Sequence, residues 1–143
     1  MRNTGVFVYD TDRRTCADVQ VISTERVEDA YVIDSHIQNT RKLAKRLLAL
    51  FEHYRPSHVF AEFPHGGAKS SRAAVMMSLA IGSVVSVCAC SGVVLVSLKP
   101  SDIKHLVRLK GKVEKSEVRS VVIRVFGEIA RDIKPKSKQE HVY

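Results

Sequence analysis

Two acidic residues each close a short apolar run. Val6-Phe7-Val8-Tyr9 leads into Asp10, and Val59-Phe60-Ala61 leads into Glu62. Runs of this length, rich in β-branched and aromatic residues and bounded by turn signals, predict strands. The second is read as a buried strand. An ionised carboxylate at the rim of a core is costly unless it reaches solvent or meets a positive partner. Glu62 therefore either escapes to water or faces a cation. If the two strands lie side by side and parallel, both acids end at the same sheet edge. Neighbouring strands stand about 4.8 Å apart, which brings both carboxylates within reach of one hard divalent cation.

The connections support that arrangement. Thr11-Asp12-Arg13-Arg14 is a polar turn, and residues 19–24 predict a second strand, antiparallel to the first through a hairpin. Asp12 is either a further anionic group near the acids or an ordinary turn residue. Tyr31-Val32-Ile33 is a candidate third strand of a meander. Ser35 reads as a helix N-cap with Gln38 as its capping-box partner. Leu43, Leu47, Leu50, Phe51 and Tyr54 form a helical apolar face, Arg41, Lys42, Lys45 and Arg46 lie on the other side, and Pro56 ends the helix. A helix between two strands is a crossover, and crossovers set strands parallel.

Gly66 and Gly67, followed by Lys69 and Ser70, lead into a long helix over residues 71–90. Its many small residues suit close packing, either on its own sheet or against a second copy in a homodimer. Residues 93–96 predict a fully buried strand. Ser101 caps a short helix, residues 108–112 form a basic loop, and Val118, Val121, Val122, Val125, Phe126 and Ile129 make the stripe of a last helix.

The chain of 143 residues reads as one domain with a single core. Twenty-three Lys and Arg against fifteen Asp and Glu give a formal charge of +8. That balance favours a polyanionic partner, nucleic acid before acidic membrane. Lys104, Arg108, Lys110, Lys112 and Lys115 cluster with a single acid, Glu114, which favours phosphate contact over a solvated loop. Cys16, Cys88 and Cys90 show no metal-site spacing and read as reduced core thiols. No secretory leader is read. The longest apolar run, residues 73–90, is broken by Ser and Gly and is read as too short to span a bilayer, so no membrane partner is expected.

The order of elements resembles the ribonuclease H-like fold: an α/β chain with a mixed five-stranded sheet flanked by helices. The details resemble a RuvC-type Holliday junction resolvase. The similar pieces are Asp10 and Glu62 at strand ends, the helix rich in small residues, and Pro100-Ser101-Asp102-Ile103-Lys104 followed by Gly111 to Val118. Lys104 and Lys115 stand eleven residues apart, the spacing of the family's two lysines. The resemblance implies a homodimeric, Mg²⁺-dependent endonuclease (Mn²⁺ substituting) acting on branched DNA. It implies Asp10, Glu62 and His141 as metal ligands and Lys115 beside the scissile phosphate. It further implies Lys104, Arg108, Lys110, Lys112 and Lys69 on the DNA backbone. Phe63 and His65 either stack on unpaired bases or, for Phe63, pack in the core.

The family's last acid would fall one residue past Tyr143, so the sequence is read as lacking the C-terminal helix. The family's usual Asp-Pro-Gly is here Asp10-Thr11-Asp12, which alters the turn. The competing readings are an inactive structure-specific DNA-binding module and another ribonuclease H-like nuclease. The resemblance places the protein in the cytoplasm, on the nucleoid or where a viral genome is processed.

Overall fold

The structure is a computed structural model and describes residues 3–24, 31–63, 70–99, 101–102 and 115–126. The chain falls into two compact units, one built on Thr24–Pro100 and the other on Asn3–Ser23 with Ser101–Tyr143.

In the second unit, β1 (Asn3–Asp10) and β2 (Thr15–Ser23) form an antiparallel hairpin. Residues alternate along β1, with Val6 and Val8 half-buried and Phe7 and Tyr9 exposed, as a pleated strand with one solvated face requires. The register slips between Val8, opposite Asp18, and Tyr9, opposite Cys16. Ala17 is thus an extra residue on β2, a bulge just before the turn. Cys16 and Ile22 are the buried residues of β2. A helix, α3 (Lys115–Phe126), also belongs to this unit, and its Val121 is buried as the predicted stripe requires. Ser101 and Asp102 are helical, and the rest of the predicted short helix lies outside the described residues.

The first unit holds α1 (Val32–Tyr54), β3 (His58–Glu62), α2 (Ser71–Cys90) and β4 (Val94–Leu98). Strands β3 and β4 pair in parallel, His58 opposite Val94 through Glu62 opposite Leu98. Helix α2 is the crossover between them, which is why the pairing is parallel. It packs on α1 and on β4. Ser70 caps α2, its hydroxyl accepting from the Ala73 N–H at 3.2 Å. The far end closes in a Schellman turn. The Val93 N–H donates to the Cys88 carbonyl at 2.9 Å and the Gly92 N–H to the Ala89 carbonyl at 3.3 Å. Gly92 takes the left-handed conformation this needs, φ 66°. Helix α1 ends on Arg55 in the same region, φ 47°, with its N–H on the Phe51 carbonyl at 2.8 Å and Pro56 next. A non-glycine residue pays about 1 kcal/mol for this conformation.

Several expectations are corrected. Tyr31-Val32-Ile33 is not a strand. Tyr31 is the N-cap position of α1, and Val32 and Ile33 form its first turn, with Asp34 favourably placed at the positive helix end. Ser35 is therefore inside the helix, its N–H donating to the Tyr31 carbonyl at 3.1 Å. The β-propensity of three residues is a weak force beside a helix of 23 residues. The mixed five-stranded sheet is not what the described residues form. They hold two sheets of two strands, β1–β2 and β3–β4, so the neighbour ladder predicted between β1 and β3 is not among the described pairings. The strands read as fully buried are not. Phe60 is 65% exposed and Val94 52% exposed. Cys16, Cys88 and Cys90 are free thiols, but Cys90 is exposed and so is not a core residue. Helix α2 is long and apolar enough, by length and composition, to cross a membrane, contrary to the reading of its sequence. Its breaks are single small residues, which a helix absorbs without interruption, and Arg72 is its one charge.

The core of the first unit rests on Leu43 and Leu47 of α1 and Val87 and Cys88 of α2. Leu43→Ala should lower unfolding free energy in urea by about 2–5 kcal/mol. Ser70→Ala, which removes only the α2 cap, should cost about 1 kcal/mol in the same measurement.

Candidate active site

Asp10 closes β1 and also organises the turn that follows. Its Oδ1 accepts from the Asp12 N–H at 3.0 Å and the Arg13 N–H at 2.9 Å. This side-chain mimic of a turn satisfies two backbone donors that the hairpin leaves over. Oδ2 is turned to Arg13, whose Nε lies 3.8 Å away. The Arg13 side chain is 83% exposed, so that ion pair contributes little. Arg14 completes the turn in the left-handed region, φ 54°. Asp12 is exposed in the turn and lends it a backbone N–H, the role of an ordinary turn residue.

Glu62 closes β3 and is exposed. Among the described residues its carboxylate has no hydrogen-bond or ion-pair partner. Strand alternation sets it on one face with His58 and Phe60. The rings of His58 and Phe60 lie 6.2 Å apart and nearly parallel, at 16°. Strand β1 also carries a ring pair, on the face opposite Asp10: Phe7 and Tyr9, both partly exposed, have ring centres 6.3 Å apart at 14°. Each acid-tipped strand thus carries a ring pair two residues apart, a pattern visible in the sequence once the strands are set.

The other predicted site residues divide by position. Phe63 follows β3 and is half-buried. Lys115 is the first residue of α3. Lys104, Arg108, Lys110, Lys112, His65, Lys69 and His141 lie outside the described residues. Among the described residues, no three His, Cys, Asp or Glu side chains converge as a metal cage. Oxygen donors from Asp10 and Glu62 match a hard divalent cation in kind. Of the two Asp10 oxygens, Oδ1 is held by the turn and Oδ2 faces Arg13.

Sequence reasoning missed the polar half of the α1 face. Ser35, His36 and Asn39 are buried in line with Leu43 and Leu47, spaced by one helical turn. His36 is 6% exposed, and among the described residues its Nε2 has no hydrogen-bond partner. A cap at Ser35 starts the helix too late and leaves Ser35 and His36 out of its buried stripe. Two thiols titrate high. Burial pushes Cys88 up. Burial also raises Cys16, opposed by its hydrogen bond to the Asp18 carbonyl and reinforced by the Asp18 charge.

The fold has known counterparts. Over 99% of this chain and 79% of the other, it superposes with a TM-score of 0.75 on Thermus thermophilus RuvC in complex with a Holliday junction substrate, at 17% identity. A further Thermus thermophilus RuvC structure matches over 87% of this chain and 73% of the other, with a TM-score of 0.68 and 19% identity. The chain therefore has the RuvC type of α/β fold. No protein-family model and no curated protein matches the sequence.

The double role of Asp10 is separable. Asp10→Asn keeps an acceptor oxygen for both turn N–H groups and should unfold within about 0.5 kcal/mol of the parent. Asp10→Ala strands both donors and should lose about 1 kcal/mol in thermal unfolding. Equal losses in both variants would assign the effect to charge instead.

Proposed function

We propose that this chain is a structure-specific DNA endonuclease of the RuvC kind, which cuts four-way or otherwise branched DNA by hydrolysing phosphodiester bonds. The observation that carries the reading is the likeness, over almost the whole chain, to a RuvC bound to a Holliday junction. The charge of +8 and the lysine spacing of 104 and 115 support the same partner.

In this reading Asp10 and Glu62 are the oxygen ligands for Mg²⁺, or Mn²⁺ in its place, joined by His141. When bound, the cation neutralises charge developing on the phosphate and makes a water more acidic. The chain's own groups do the remainder. Neutral His141, where it is not a ligand, accepts a proton from the attacking water at a ring nitrogen. Lys115 places its Nζ beside the non-bridging phosphate oxygens, where negative charge grows. Lys104, Arg108, Lys110, Lys112 and Lys69 hold the backbone of the arms through charge, setting register and carrying no sequence information. Phe63 and His65 stack on bases at the branch point.

The protein acts as a homodimer in this reading, since a four-way junction presents two equivalent strands to be cut. Helix α2 supplies the surface. Val75 and Val85 are 46% and 43% exposed, and a Cβ at Gly82 would meet nothing within 4 Å. Val75→Glu with Val85→Glu should convert dimer to monomer in sedimentation equilibrium, and an unchanged mass would move the interface elsewhere.

The deciding assay incubates the protein with a synthetic four-way junction, with and without Mg²⁺. The parent should cut only with the cation. Glu62→Gln should abolish cutting while junction binding persists. Binding without cutting in the parent itself would make it a binding module, and equal cutting of RNA hybrids would make it a different nuclease.

A further inference from the structure

Helix α1 carries a charged surface that the nuclease reading leaves unused. Leu43 and Leu47 are buried, which fixes how the helix is rotated about its axis. Arg41, Lys42, Lys45 and Arg46 are all exposed on the surface that remains. At 3.6 residues per turn the four span about 140° of the circumference and about 7.5 Å of the axis. Arg41 with Lys45 and Lys42 with Arg46 stand four residues apart, and Lys42 with Lys45 three apart. Side chains so spaced are neighbours on a helix, and like charges there destabilise it. No acid is near enough to relieve them. Asp34 lies seven residues before Arg41 and Glu52 six after Arg46. Among the described residues, none of the four side chains has an ion-pair or hydrogen-bond partner.

A helix face that serves only to be solvated mixes its charges. This one holds a self-repulsion that a polyanion would relieve, and charge density selects which. A DNA duplex carries one negative charge per about 1.7 Å of axis, so about four phosphate charges lie along the length of this face, one for each cation. An anionic membrane would take a basic helix by its apolar face. On α1 that face is occupied, since Leu43 and Leu47 are buried and the helix packs on α2. Ile33, Ile37 and Leu48 are exposed along one flank only, so lipid is the rival occupant and not the first.

We propose that Arg41, Lys42, Lys45 and Arg46 form a docking face on α1 for the phosphate backbone of a duplex arm. This rests on the nuclease reading and adds to it a contact on a helix that carries none of the acids or lysines assigned to cutting. The face acts through charge, so it strengthens and speeds binding and reads no bases. Its residues touch no reacting atom.

The test uses the full chain in EDTA, with a fluorescein-labelled duplex and a four-way junction, and reads anisotropy between 50 and 200 mM salt. Lys42→Gln with Arg46→Gln should lower the slope of log K against log salt by about 1.8, and adding Arg41→Gln and Lys45→Gln should double that fall. Affinity at 100 mM salt should drop more than about tenfold in the double variant. The swap Lys42→Arg with Arg46→Lys keeps the charge and should bind within about twofold of the parent. Thermal unfolding checks the fold. The Gln variants should melt at or above the parent's temperature, because they remove like-charged neighbours and Gln suits a helix. Parental affinity and slope in the folded fourfold variant would overturn the proposal. So would an equal fall per charge in Arg124→Gln on α3, since net charge alone would then explain it. Parental DNA binding alongside lost flotation on phosphatidylserine vesicles would also overturn it and make lipid the occupant. Junction cutting with Mg²⁺ is scored separately. Face-dependent binding by a parent that does not cut sinks the nuclease reading alone; cutting with face-independent binding sinks the docking face alone.

Discussion

A carboxylate at the end of an apolar strand must be met by donors, by a cation or by water. The two acid-tipped strands answer this differently. Asp10 is met by its own turn, two backbone N–H groups converging on Oδ1. That contact ends β1, shapes residues 11–14 and orients the side chain before any ligand arrives. Glu62 has no such partner among the described residues and stands in water. One acid is pre-set and the other adaptable. The same contact leaves Asp10 one oxygen outside the turn, the one that faces Arg13.

The first unit shows how strand placement is enforced from a distance. Ser70 at one end of α2 and the Gly92 turn at the other fix where the helix begins and stops. Those limits leave β4 in register with β3, residue for residue. Helix α1 packs on the crossover through leucines in its C-terminal half, while its N-terminal half buries Ser35, His36 and Asn39. A buried imidazole nitrogen without a partner is uncommon, because burying an unpaired polar atom forgoes its hydrogen bond to water. His36 is thus a weak point among the buried residues of α1.

The sequence was legible where local chemistry decides structure. The hairpin could be read from Asp10 to Arg14, the start of α2 from Ser70, and the end of α1 from Pro56. Each is set by side chains within a few residues. Tyr31-Val32-Ile33 misled because helix continuation outweighed β-propensity, and the misplaced cap at Ser35 followed from that. Burial misled more broadly. An apolar run such as Val59-Phe60-Ala61 states what a strand would bury, whereas Phe60 shows what remains to cover it. Sheet order was the least legible, since pairing joins residues distant in the chain and leaves no local mark. For the candidate site, the two acids were readable as strand ends. The ring pairs behind them were not, because they emerge only when alternation is laid on a known strand.

The last turn of α2 carries two sulfur atoms of opposite fortune. Cys88 is 1% exposed, with its thiol pushed up by burial, while Cys90, two residues on, is open to solvent. Alkylating reagents attack thiolates. The outer atom therefore reacts from the closed state, and the inner one only when the helix lifts from its neighbours. The difference between their labelling rates is a built-in clock for the opening of α2, and it needs no engineered label.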